Sequence, residues 1–208
     1  MFKVKHKTDE DTPVFFGLDI SVTSSGVSII DIDGCLLNIF RIQTGTELSK
    51  KANLKKFTKV QKYDRYKYIS DVLSEEFNKY KNIKLICIEE CFVGFIKSAI
   101  PLIELATVTR SQMYFKGHSF FTVMPTKIKK FLCGKGNVEK EAIPKEVYKR
   151  WGVDTNFNDE ADSYVMAQFA RSVYCYDNNI DIGLMKRDIA TVKDIKKDKA
   201  TLFFNYEN

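Results

Sequence analysis

Acidic residues stand where two apolar runs end. Asp19 lies near the end of Val14–Ile20 (VFFGLDI) and precedes a Ser/Thr-rich turn. Glu89 ends Ile83–Glu89 (IKLICIE), with Glu90 beside it. Asp159 and Asp162 are three apart, which places them on one face of a helix's first turn. A carboxylate at the end of a buried strand is costly unless it is paired or bound to a cation. Four of them, with no equally obvious Lys or Arg in the same motifs, suit Mg²⁺ or Mn²⁺, which prefer oxygen ligands. Two such ions ~3.5–4 Å apart activate water and stabilise a leaving oxygen in phosphodiester hydrolysis. Singly, each acid has a plainer reading. Asp159 suits a helix N-terminus on dipole grounds, and Glu89 and Glu90 suit the start of a loop. The combination carries the inference.

The elements that must bring these acids together follow from hydropathy. Val14–Ile20, Gly26–Ile32 and Cys35–Gln43 read as three strands, the last two joined by the hairpin pair Asp33-Gly34. Tyr66, Ile69, Leu73, Phe77 and Tyr80 repeat at helical spacing. Ile83–Glu89 reads as a strand buried on both faces, residues 98–115 as a helix and Ser119–Met124 as another strand. A helix is predicted from near Glu141 to Trp151. A last long one runs from an Asn158 cap to about Tyr174, with Val165, Met166, Phe169 and Val173 on its apolar side. The order predicts an α/β fold: a mixed five-stranded sheet, three antiparallel strands then parallel ones, flanked by helices. Ligands of such sheets bind beyond the carboxyl ends of the parallel strands. The expected organisation is an N-terminal segment 1–13, one domain over 14–176, and a charged surface extension over 177–208.

The chain has 208 residues with 44% hydrophobic and 29% charged, a globular balance. It has no apolar run near the ~20 residues of a membrane span, and its polar start argues against a secretory signal. A cytoplasmic location is expected. Five cysteines without a CxxC pair, and two distant histidines, argue against structural zinc. The net charge of +6 is unevenly spread: residues 50–84 carry +7 and 127–150 carry +5, leaving −6 elsewhere. Clustered Lys and Arg point to an anionic polymer such as nucleic acid, although either run also reads as a solvated helix face.

Taken as motifs, these residues resemble one family. Gly17-Leu18-Asp19-Ile20-Ser21 with Ser25-Gly26-Val27 is similar to the opening motif of the RuvC Holliday-junction resolvases, in the ribonuclease-H-like superfamily. Ile88-Glu89-Glu90-Cys91-Phe92 resembles their second motif, and Asp159-Glu160-Ala161-Asp162-Ser163 their D-x-A-D-A motif. Lys129 and Lys140, flanking Gly134-Lys135-Gly136, resemble the basic stretch before the final acids. The resemblance covers roughly residues 14–175. Ser163 stands in place of a common Ala and Glu90 of a common Gln. The Lys-rich 50–62 stretch and the tail have no clear counterpart.

The resemblance implies a ribonuclease-H-like endonuclease that resolves Holliday junctions or other branched DNA, forks and flaps included, in recombination, repair or replication. It implies Asp19, Glu89, Asp159 and Asp162 as catalytic acids holding two Mg²⁺ per site, with Mn²⁺ able to substitute. Lys129 and Lys140 are implied as DNA-phosphate or transition-state contacts and Phe92 as an aromatic stacking on bases at an opened crossover. It further implies a symmetric homodimer, for which the 98–117 helix with Ile100, Ile103, Ala106 and Met113 offers a face, and a divergent, phage-type member acting in a host cytoplasm. Three alternatives remain: a related nuclease cutting RNA–DNA hybrids or flaps, a non-catalytic branched-DNA binder, and an actin-like kinase. The kinase is disfavoured by a chain long enough for only one of its two domains.

Overall fold

Apolar residues alternate between the two sides of the first strand, and that alternation organises the molecule. The computed structural model describes residues 11–44, 62–91, 96–198 and 201–206. Strands β1 (Val14–Asp19), β2 (Ser24–Asp31) and β3 (Leu36–Gln43) form an antiparallel meander. Asp31 closes its second turn, accepting from the backbone N–H groups of Asp33 and Cys35, while Gly34 takes a φ of 81° that a side chain would resist. After α1 (Lys62–Phe77), β4 (Ile83–Glu89) lies parallel to β1. After α2 (Ile96–Phe115), β5 (Phe120–Val123) lies parallel to β4. Then follow α3 (Pro125–Cys133), a 3₁₀ turn (Lys140–Ala142), α4 (Ile143–Trp151), α5 (Asn158–Asp177), α6 (Lys186–Lys197) and β6 (Phe203–Phe204). The strand order is β3-β2-β1-β4-β5-β6, so β1 is central.

One face of the sheet carries Phe15, Leu85, Cys87 and Phe121 against α5, with Val165, Met166 and Phe169. The other carries Phe16, Leu18, Ile86 and Ile88 against α1 and α2, with Tyr66, Ile69, Leu73, Leu105 and Met113. Each buried side chain of this size contributes about 1.5–3 kcal/mol, so two well-filled layers fix the strand register.

Four expectations change. The sheet has six strands, not five. The C-terminal segment, expected as a surface extension, supplies α6 and the edge strand β6, where Phe204 stacks on Phe120 at 4.6 Å and Phe203 on Phe121 at 5.1 Å. A basic segment read only for its charge forms α3, with Pro125 in its first turn and Ile128, Phe131 and Leu132 facing inward. Finally, Phe157 rather than Asn158 is the N-cap residue of α5. On α2, Ala106 and Met113 are buried, whereas Ile100 and Ile103 are exposed together with Val108 and Phe115. No helix among the described residues is long and apolar enough to cross a membrane.

Candidate active site

Strand parity brings the acids together. On β1, Phe15, Gly17 and Asp19 point to the α5 face; on β4, Leu85, Cys87 and Glu89 do. Leu18 pairs with Ile88, so Asp19 and Glu89 are neighbours at the carboxyl ends of adjacent parallel strands. The first two turns of α5 add Asp159 and Asp162.

Two glycines let that helix approach. A Cβ on Gly17 would lie 1.9 Å from the carbonyl oxygen of Ser163, and one on Gly26 would lie 1.9 Å from that of Asp159. Backbone sits where a side chain would be, so only glycine fits. The departure at Ser163 has a partner. Its hydroxyl lies 2.7 Å from that of Ser28 in a fully buried contact, and it donates to the carbonyl of Glu160 at 2.9 Å.

The electrostatics are those of crowded anions. Burial, then the charges of Glu89 and Asp162, push the Asp19 carboxyl well above the usual range. Burial and Asp162 raise Glu89, partly offset by a hydrogen bond with Asp19. Burial also raises Asp162, against the pull of Lys140. The Lys140 ammonium lies 3.6 Å from Asp162 and 4.0 Å from Asp159. Burial pushes that ammonium down, but the charges of Asp162, Asp19, Asp159 and Glu89 outweigh it and hold it above its ordinary value.

A hard divalent cation fits this all-oxygen donor set chemically. Among the described residues no three His, Cys, Asp or Glu side chains stand close enough to enclose a metal ion. Lys140 stands among the carboxylates as a built-in counter-ion.

The other expected residues divide. Lys129 donates to the carbonyl of Val138 at 2.6 Å, and its charge favours the ionised forms of Glu89 and Asp162. Its neighbours Lys127 and Lys130 turn away to Asp194 of α6, at 2.7 and 3.3 Å. Glu90 leaves the site and pairs with Arg110 of α2 at 3.0 Å. Phe92 and most of the 50–62 stretch lie outside the described residues.

Two residues not singled out from the sequence also reach the acids. Ser24 donates to Asp159 at 2.7 Å, and Arg41 of β3 lies 4.0 Å from the same carboxylate. The signal for Arg41 was a lone cation in an otherwise uncharged strand (LLNIFRIQ), but its meaning depends on pairing with Gly26.

No protein-family model and no curated protein matches the sequence. In three dimensions the chain is similar to the Thermus thermophilus RuvC structure, at 16% identity and a TM-score of 0.61, over 80% of this chain and 97% of that one. It is equally similar to T. thermophilus RuvC in complex with a Holliday junction substrate, at 15% identity and a TM-score of 0.61, over 80% and 96%. The chain therefore has a RuvC-like, ribonuclease-H-like fold.

Proposed function

We propose that the protein is a divalent-metal-dependent endonuclease that nicks four-way junctions or other branched DNA, acting as a homodimer. The observation that carries this reading is the parity that sets Asp19 and Glu89 side by side beneath Asp159 and Asp162 on α5. The fold it shares with RuvC, one structure of which holds a Holliday junction substrate, supports it.

In this reading Asp19, Glu89, Asp159 and Asp162 hold two Mg²⁺ or Mn²⁺ ions. When bound, the ions supply an activated water and charge stabilisation for the leaving oxygen. Lys140 neutralises the acids until cations fill the site and then serves the DNA phosphate, beside Lys129. Phe92 stacks on a base at the opened crossover. The exposed Ile100 and Ile103 of α2 belong to the dimer contact, which sets two active sites against the two strands of a junction. The nuclease machinery lies within residues 14–176, and the protein works in the cytoplasm on DNA.

The test is cleavage in Mg²⁺ and in Mn²⁺ of a mobile four-way junction, a replication fork, a flap and an RNA–DNA hybrid. Paired nicks in the junction are expected. Cleavage of the hybrid in preference to every branched DNA would assign a different nuclease activity, and no cleavage of any substrate would refute the reading.

A further inference from the structure

Asp19, Gly26 and Arg41 form one line across β1, β2 and β3, so Arg41 projects on the α5 face beside the acids. Gly26 leaves room for the start of α5 to settle between them. The residue just before that helix is Phe157, and the Arg41 guanidinium lies over its ring, 3.2 Å from the centroid. The ring holds the guanidinium against the sheet, where the Arg41 side chain is only 14% exposed. Phe157 remains 43% exposed although Arg41 covers one face of its ring.

Among the described residues this exposed ring, beside a group of carboxylates, stacks on no other aromatic. Arg41 and Lys140 each lie 4.0 Å from Asp159, two residues past the ring, and these cations suit an anionic partner. A nucleotide meets both demands: its base has an apolar π-face and its phosphate carries charge.

We propose that Arg41 and Phe157 form a nucleotide platform flanking the acids, Phe157 stacking an unpaired base on its exposed ring and Arg41 holding a phosphate of the same strand. The platform takes its place beside a cleavage site from the proposed nuclease function, but its binding is measurable without cleavage.

The experiment uses the full chain in EDTA, with a single-stranded oligonucleotide, a junction with an unpaired centre and a linear duplex. Both of the first two carry 2-aminopurine at unpaired positions. Phe157→Ala should weaken binding to the unpaired substrates about five- to hundredfold, the range of one stacked base, and abolish part of the fluorescence quench. Duplex affinity should change less than about twofold. Phe157→Trp should preserve binding and quench, whereas Phe157→Leu, which keeps bulk without a π-face, should not. Arg41→Gln should lower the salt slope by about one phosphate contact.

Wild-type binding and quench in Phe157→Leu would overturn the proposal, as would equal losses on duplex and unpaired DNA. Conversion of a dimer to a monomer by Phe157→Ala would overturn it by making the ring a protein contact. Should wild type cut no branched substrate, the nuclease reading falls, while the quench and affinity data still decide the platform.

Discussion

Replacing Asp19 with Asn should stabilise the metal-free protein while destroying its activity. The Asp19 side chain is buried on the crowded acid face, and its ionised form is opposed by burial and by Glu89, Asp162 and Asp159. The amide has nearly the same shape and can donate to Glu89, as the Asp19 carboxyl does now, without carrying charge. Relief of this kind is worth about 0.5–2 kcal/mol, as for other stabilising changes at functional sites. For a chain of this size each kcal/mol moves Tm by about 2–4 °C, giving a rise of about 1–8 °C. The pH dependence follows from the direction of the shift. A carboxyl held above its unfolded value contributes stability below that value and loses it as pH rises through the folded one. The advantage of Asp19→Asn should therefore grow as pH rises above the unfolded carboxyl value and vanish in acid, where Asp19 is neutral in both the folded and the unfolded chain. Calorimetry in EDTA over roughly pH 4–8 measures this. Added Mg²⁺ should then raise the wild-type Tm more than the variant's. A variant that melts below wild type at neutral pH in EDTA would refute the electrostatic reasoning.

Other perturbations separate packing from chemistry. Gly17→Ala and Gly26→Ala place a methyl against α5 backbone and should cost at least about 1–3 kcal/mol in denaturant unfolding, Gly26→Ala also weakening metal uptake by displacing Asp159. Ser163→Ala should cost about 1–3 kcal/mol by leaving the buried Ser28 hydroxyl without its best partner, whereas Ser28→Ala with Ser163→Ala should be near neutral; a double-mutant cycle reads the coupling. Lys127→Ala should leave the salt dependence of DNA binding unchanged, because Asp194 and Asp198 already neutralise it, while Lys129→Ala and Lys140→Ala should each reduce the slope by about 0.9. Lys140→Ala should also lower stability in EDTA more than in Mg²⁺, because Asp159 and Asp162 then lose the ammonium beside them with no cation to replace it.

The parts legible in the sequence are those whose signal is local. Alternation and the Asp33-Gly34 turn carried the meander, and the continuous apolar run of β4 marked a buried parallel strand. Asp19 and Glu89 were legible for the same reason, as charges closing apolar strands. Strand β6 was not, because two residues show no period and Phe203 and Phe204 gain their order from Phe121 and Phe120, more than eighty positions away. Helix α3 was hidden because its inward face is only Ile128, Phe131 and Leu132, interleaved with Lys127, Lys129 and Lys130. Adjacent Glu89 and Glu90 look alike in sequence, yet one stays on the acid face and the other swings to Arg110. Ser24 and Arg41 acquire meaning only through cross-strand register and the position of α5. Nor does a run of like charges reveal which lysines are already neutralised, a division made here by α6.

The proposed chemistry rests most directly on Asp162, which faces Lys140 at 3.6 Å in the first turns of α5. The decisive measurement compares wild type and Asp162→Asn on a mobile four-way junction in Mg²⁺, with binding followed by gel shift and cleavage by labelled strands. Paired nicks by wild type, and a variant that binds the junction with similar affinity but cuts it orders of magnitude more slowly, are predicted. Cleavage by Asp162→Asn at the wild-type rate would contradict the assignment of these carboxylates as the active site.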